Sequence, residues 1–215
     1  TLSLHDALPI DTTYEVANVA HALEGRPVLF TNIQDYPGWR VCSGVCADRR
    51  FFGMDLGVEV PDLLHYLKNS LQNPLPPPIV ESAPCQEIVV EDVNLNDLPI
   101  LLHLPQDGGH YIASNVVIIN DPELGRNMCY HRLLRLDERR FAARIVENRG
   151  TFNAMQKTEG DLPVAICIGV SLAVHLAASM SPSPNVDELA VANALAPTPL
   201  VKCLTNDLYV PADAE

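Results

Sequence analysis

Residues 73–78, Asn-Pro-Leu-Pro-Pro-Pro, constrain the fold of this chain more than any other stretch. Each proline ring fixes φ and removes an amide donor, so the run favours an extended polyproline conformation and belongs neither in a helix interior nor in a central strand. It follows the clearest helical pattern in the sequence: Val60, Leu63, Leu64, Leu67 and Leu71 share one face, and Pro61 is tolerated in the first turn. The chain is therefore predicted to divide here. An amino-terminal mixed α/β domain over residues 1–91 is followed by a β-rich domain over residues 92–215, with a connection that begins at the prolines and ends near Leu95.

Ahead of the prolines, residues 14–23 read as a helix capped by Thr12 or Thr13 and ended by Gly25. Residues 27–30 and 39–45 read as strands on either side of an Asp-Tyr-Pro-Gly turn at 35–38. Beyond them, residues 112–119, 127–136, 140–146, 163–169, 198–203 and 207–210 have the β-branched content and turn spacing of strands. A hairpin connection is predicted at 120–125 and another turn at Asp137 and Glu138. Helices are predicted at 151–157, 171–179 and 186–194. The fold class is α/β (α+β), a β-rich barrel or sheet with helical insertions, and no internal repeat is visible.

The chain has 215 residues, 47% of them hydrophobic, which is enough to bury a substantial core. A net charge of -13 argues against nucleic acid as a partner, because phosphate-backbone binding needs an extended basic footprint. The apolar runs at 163–170 and 172–180 are shorter than a bilayer span, so no transmembrane helix is expected. Six cysteines show no Cys-x-x-Cys spacing and no secretory leader precedes them, which reads as reduced thiols in a cytoplasmic protein. The opening residues 1–10 contain no initiator Met and differ in character from the rest of the chain, so they read as non-native. The chain stops directly after a strand-like segment, which reads as a fragment.

Against this acidic background, Arg126, Arg132, Arg135, Arg139, Arg140, Arg144 and Arg149 make up half of the 14 Lys and Arg residues. Clustered guanidinium groups suit phosphate or carboxylate oxygens, so the segment is a candidate anion site. On a strand over 127–136, Tyr130 and Arg132 would share one face, and Asn127, Cys129 and His131 the other. A solvent-facing strand with incidental polar groups remains an alternative. Arg144 and Arg149 flank a junction where Gly150 permits close backbone approach and the next helix offers free amides, an arrangement that can hold a phosphate or be ordinary punctuation. The Gly-containing loop at 106–110 does not have Walker or Rossmann spacing. His5, His21, His65, His103 and His175 form no metal spacing, His175 reading as a core or interhelical residue. Neither Gly44 nor Gly108 provides a nucleophile elbow.

The segments at 25–38, 97–100, 106–109, 120–125, 127–132, 148–150, 200–203 and 206–212 resemble the UbiD-type decarboxylases, and the resemblance covers nearly everything after Tyr14. It implies a flavin-reductase-like split β-barrel that binds prenylated FMN, and non-oxidative removal or addition of CO2 on an unsaturated or aromatic carboxylic acid. It also implies a homo-oligomer. By position, Tyr130, His131, Arg132, Arg144, Ile145, Val146, Arg149 and Gly150 match the cofactor contacts, and Arg132 also matches the arginine that holds the substrate carboxylate. The family's Mn2+ or Mg2+ is held by Asn, His and Glu. Asn127 matches the first, whereas Asn148 stands at the expected His and Pro199 at the expected Glu, so a monovalent cation, an altered ligand set or direct arginine contact with the phosphate is an alternative. The proton-donating acid and the carboxy-terminal domain are expected beyond residue 215. A diverged flavin-phosphate-binding module or scaffold subunit without decarboxylase activity is the competing expectation.

Overall fold

A computed structural model describes residues 8–214, and its class is mixed α/β. In chain order the elements are α1 (Glu15–Ala22), β1 (Val28–Phe30), β2 (Val41–Ser43), α2 (Arg49–Leu56), α3 (Val60–Gln72), β3 (Ile79–Val80), β4 (Tyr111–Ile112), β5 (Val116–Asp121) and β6 (Gly125–Cys129). There follow β7 (Leu133–Arg135), β8 (Phe141–Ala143), α4 (Gly150–Lys157), β9 (Ala165–Cys167), α5 (Leu172–Ser179), α6 (Glu188–Leu195), β10 (Leu200–Lys202) and β11 (Tyr209–Pro211). Among the described residues the strands form small sheets, ordered β1-β2, β11-β10-β3, β4-β7-β8 and β6-β5-β9, and none closes into a barrel.

Two compact units are built from interleaved segments. One takes the chain up to Phe52, Val90–Ile112 and Arg132–Ala143; the other takes Gly53–Val89, Ala113–His131 and the chain from Arg144 onward. One crossing lies between Val89 and Val90. The remaining crossings depend on which strands pair.

In the first unit, β1 and β2 pair antiparallel with Leu29 opposite Cys42, and β7 lies between β4 and β8. Neither Thr12 nor Thr13 caps α1 through its side chain. Their backbones are occupied with Leu102 instead: Thr13 bridges to it, and the Thr12 carbonyl accepts its amide. The reading of residues 1–10 as non-native falls mostly on residues outside the described ones, while Ile10 bridges to Ile33. Helix α2 is not anticipated from the sequence, where Gly53 interrupts its apolar residues Phe51, Phe52, Met54 and Leu56; it begins where Asp48 Oδ1 accepts the Arg50 amide at 2.8 Å.

The second unit is organised by β5. Val116 and Ile118 join a core with Val174 and Ala177 of α5 and Leu189 and Ala192 of α6. Val117 and Ile119 face the other way and pack with Ala154 of α4. Both faces of the strand are covered, which is why its sequence is an unbroken apolar run rather than an alternation. Asp187 Oδ1 caps α6 by accepting the Leu189 amide at 3.0 Å, and the Ser171 hydroxyl caps α5. The proline-rich run lies inside this unit. Leu75 N donates to the Ala190 carbonyl, Asn193 Nδ2 donates to the carbonyls of Leu75 and Pro76, and Leu200 N donates to that of Pro78, so the extended chain enters β3 already held against α6 and β10.

Candidate functional site

The seven arginines separate into two groups. Arg126 forms a two-point pair with Asp187, its Nε 3.1 Å from Oδ1; Arg135 donates to the Leu95 carbonyl; Arg139 pairs with Asp92 and Arg140 with Asp137. Arg132, Arg144 and Arg149 are exposed and enter no ion pair among the described residues. Arg26 and Arg49, outside the cluster, are likewise exposed and unpaired among the described residues, so what distinguishes these three is their grouping, which suits phosphate or carboxylate oxygens.

The strand expected over 127–136 is two strands in different units. β6 ends at Cys129, opposite Val117, because its partner β5 begins only one residue earlier, at Val116. β7 begins at Leu133 in another sheet. Tyr130, His131 and Arg132 therefore occupy the crossing, and the alternation of faces expected for them does not apply. Arg132 opens the first unit's last segment, whereas Tyr130 and His131 close a segment of the second.

Tyr130 stacks on His175, with ring centroids 6.0 Å apart and planes 3° from parallel. Its hydroxyl lies 2.8 Å from both the Nδ1 and the carbonyl oxygen of His175. A carbonyl can only accept, so the single phenolic proton goes there and Nδ1–H donates to the phenolic oxygen. Burial lowers the His175 pKa, in keeping with this neutral tautomer. His175, read from the sequence as a core or interhelical residue, is half-buried and holds the end of β6 to α5.

His131 is fixed on three sides. Its carbonyl accepts from Asn115 Nδ2 at 2.9 Å, its Nδ1 faces the Arg144 carbonyl at 3.2 Å, and its Nε2 faces Thr151 Oγ1 at 2.9 Å. The Arg144 carbonyl again dictates the tautomer: Nδ1–H donates, and Nε2 accepts the Thr151 hydroxyl. Burial lowers the His131 pKa, although the bond to Arg144 opposes the shift. Cys129 Sγ lies 3.3 Å from both His131 Nε2 and Thr151 Oγ1, and burial raises its thiol pKa. This neutral cluster ties the end of β6, the segment after β8 and the first turn of α4 together.

That segment after β8 is irregular. Arg144, Ile145 and Val146 follow the strand rather than belonging to it, and Asn148 adopts a left-handed φ of 60° in the turn that leads into α4. Asparagine tolerates that conformation better than most residues. Gly150 starts α4 hard against Asn127: an added Cβ would lie 2.7 Å from Asn127 Oδ1. The amides of the first turn of α4 have no partner within the helix, so its N-terminus offers donors beside Arg144 and Arg149.

Asn127 in turn meets Glu188. Its Nδ2 donates to Glu188 Oε1 at 3.2 Å, and the Met128 amide donates to Oε2 at 3.2 Å. Glu188 is only 6% exposed, and burial raises its pKa despite these donors. The expectation that the carboxylate is lost at Pro199 is thus corrected. Pro199 contributes its carbonyl to the Ala212 amide, while the carboxylate next to Asn127 comes from the start of α6. Sequence spacing held no signal for this pairing, because the core contacts of β5, α5 and α6 bring positions 127 and 188 together. Among the described residues no group of three or more His, Cys, Asp and Glu side chains could hold a metal ion. Asn127 and Glu188 nevertheless form an amide and carboxylate pair of the hard oxygen type.

The comparisons with known proteins agree with one another. The model for the 3-octaprenyl-4-hydroxybenzoate carboxy-lyase Rift-related domain matches residues 78–215, and that for the N-terminal domain matches residues 7–71. An anhydromevalonate phosphate decarboxylase from Methanothermobacter thermautotrophicus is 33% identical over 210 residues, 94% of this chain and 48% of that protein. A gallate decarboxylase from Lactiplantibacillus plantarum is 27% identical over 80% of the chain and 38% of its own length. The solved structure of an evolved dimeric form of the UbiD-class enzyme HmfF from Pelotomaculum thermopropionicum, in complex with prFMN, superposes with a TM-score of 0.92 at 34% identity, covering 97% of this chain and 51% of that one. The chain spans about half the length of the curated relatives it matches. It belongs to the UbiD family, of which it carries the N-terminal and Rift-related domains.

Proposed function

We propose that this chain is the cofactor-binding part of a prenylated-FMN-dependent carboxy-lyase that acts non-oxidatively on an unsaturated or aromatic carboxylic acid. The observation that carries the reading is the junction at Gly150, where uncommitted Arg144 and Arg149 flank the N-terminus of α4 and Gly150 lies against Asn127. Such a junction combines guanidinium donors, free backbone amides and the positive end of a helix, the chemistry that a flavin phosphate requires. Family membership and the complex of HmfF with prFMN support the cofactor assignment.

In this reading Tyr130, His131, Arg132, Ile145 and Val146 complete the cofactor contacts, and the strands contribute to a flavin-reductase-like split β-barrel. Arg132 holds the substrate carboxylate. Asn127 and Glu188 are the donors for an oxygen-preferring cation, Mn2+ or Mg2+ before a monovalent ion, since Glu188 restores the anionic ligand that a divalent ion favours. Asn148 supplies no imidazole. Bound prenylated FMN supplies the electron sink, and the protein's residues bind its phosphate, orient it and exclude water. The neutral His131 cluster maintains the shape of the arginine junction and adds no charge to it. The proton-donating acid lies outside residues 1–215, and the working protein is a cytoplasmic homo-oligomer.

Titration of the purified chain with FMN, followed by quenching of flavin fluorescence, tests the binding part. Saturable binding that weakens in Arg144→Ala and Arg149→Ala supports the reading; absence of binding in the intact chain removes it. The competing reading, a flavin-phosphate module or scaffold without lyase activity, draws on Asn148 at the expected imidazole. Isotope exchange between labelled CO2 and the acid, in a full-length protein loaded with prenylated FMN, separates the two.

A further inference from the structure

The second unit holds another group of reactive side chains, which shares no residue with the arginine junction. A cavity of ≈ 250 Å³ is lined by three free thiols, Cys85, Cys167 and Cys203. They come from distant parts of the chain: Cys85 from the 3-10 turn Pro84–Gln86, Cys167 from the end of β9, and Cys203 from the residue after β10. Backbone and side-chain bonds fix them together. Gln86 Nε2 donates to the Lys202 carbonyl at 2.7 Å, Cys85 N donates to the Ala212 carbonyl at 3.2 Å, and Cys203 N donates to the Leu208 carbonyl at 2.8 Å. Each residue of the Cys85 and Cys203 pair thus sits one position from the Gln86–Lys202 bond.

The three thiols are not equivalent. Cys167 is 3% exposed, and burial pushes its pKa up to about 12, so it stays protonated and closed to solvent. Cys85 and Cys203 are partly exposed; burial raises both of their thiol pKa values, and the charge Cys85 would carry as a thiolate raises that of Cys203 further, so the pair differs from Cys167 in its exposure and not in being acidic. The exposed apolar side chains of Ile166 and Leu204 leave the cavity open at its rim.

We propose that Cys85 and Cys203 are a thiol pair that peroxide closes into an intramolecular disulfide, with Cys167 remaining a thiol. The thiolate of one cysteine attacks a peroxide oxygen, the O–O bond breaks, and the hydroxide released takes a proton to become water, leaving a sulfenic acid. The second thiol then attacks that sulfur and loses its proton as the S–O bond breaks and a second water leaves. Two electrons pass from sulfur to peroxide. The product staples the 3-10 turn to the β10–β11 hairpin and closes a long loop of chain.

Peptide mapping of the intact chain without reductant, before and after hydrogen peroxide, tests the pairing. The expected result is a monomeric protein with a Cys85–Cys203 linked peptide lighter by two hydrogens, reversed by a dithiol. The link is absent in both Cys85→Ser and Cys203→Ser, and it raises the wild-type Tm by about 5 °C or more, as closure of a long loop should. A link that includes Cys167, a link confined to Cys42 and Cys46, links between molecules, or oxidation only to sulfinic and sulfonic acids would each overturn the proposal. Mapping of the wild type alone distinguishes these outcomes even if a serine variant fails to fold.

Discussion

At the scale of single residues, exposure and partnership discriminate among side chains that the sequence presents as alike. Arg140 and Arg149 are both exposed arginines of the same cluster, but Arg140 already has Asp137. Arg144→Ala and Arg149→Ala should each weaken FMN binding by about 10- to 100-fold, the worth of one charge-assisted bond, with a smaller dependence on salt. Arg140→Ala should leave the affinity unchanged in the same titration. Gly150→Ala sets a methyl against Asn127, whose side chain is held by Glu188 and cannot swing away without losing that bond. It should cost about 1 kcal/mol in a denaturant melt and reduce FMN affinity more than stability. Glu188 behaves in the opposite way. Because burial raises its pKa in the folded state, the ionised form costs stability once the pH exceeds the ordinary carboxylate range. Glu188→Gln should therefore be as stable as the wild type, or more so, near pH 7, while losing any Mn2+-dependent gain in FMN affinity.

Among the elements, the hairpin joining β5 to β6 shows how much a short motif can state in advance. The Asn-Asp-Pro-Glu-Leu-Gly sequence predicts a turn, and the structure places Gly125 at φ +82° with Asp121 accepting the amides of Glu123 and Leu124. Asp121 is buried and also meets Lys157 of α4 at 3.3 Å. Burial alone would raise its pKa, but the two amides and Lys157 outweigh it and lower the value. A carboxyl depressed in the folded state stabilises above its unfolded pKa, and that contribution disappears as the pH falls through the folded value. Asp121→Asn should lose about 1–3 kcal/mol at neutral pH and show a shallower acid-side decline in urea melts than the wild type. The long strand expected over 127–136 divides in two for a reason that no short motif carries. Its residues all suit a strand, and only the beginning of β5 at Val116 determines that pairing stops at Cys129.

For the whole molecule, interleaving matters more than linear order. Each unit takes three segments of chain, and the crossing after His131 separates it from Arg132, its immediate neighbour in sequence. The prolines at 73–78 are extended, as their chemistry demands, but the contacts with α6 and β10 place them within a unit. A protein that carries this chain together with the remaining half of its relatives' length, loaded with prenylated FMN, should release CO2 from a member of a cinnamate, hydroxybenzoate and polyene acid panel. Residues 1–215 alone should bind flavin without releasing CO2.

By itself the sequence determined the α/β class, most helices, the turn at 120–125 and the arginine cluster, because each depends on local torsional preference, side-chain periodicity or charge. Its motifs also identified the family. Tertiary structure decided which arginines remain uncommitted, which carboxylate meets Asn127, and which thiols share a cavity. Glu188 reaches Asn127 because β6 packs on α6, and Cys203 nears Cys85 through the Gln86–Lys202 bond and the pairing of β10 with β3 and β11. Pairings across such sequence distances arise from the burial of β5 on both faces and from the order of strands in a sheet, neither of which a local pattern encodes.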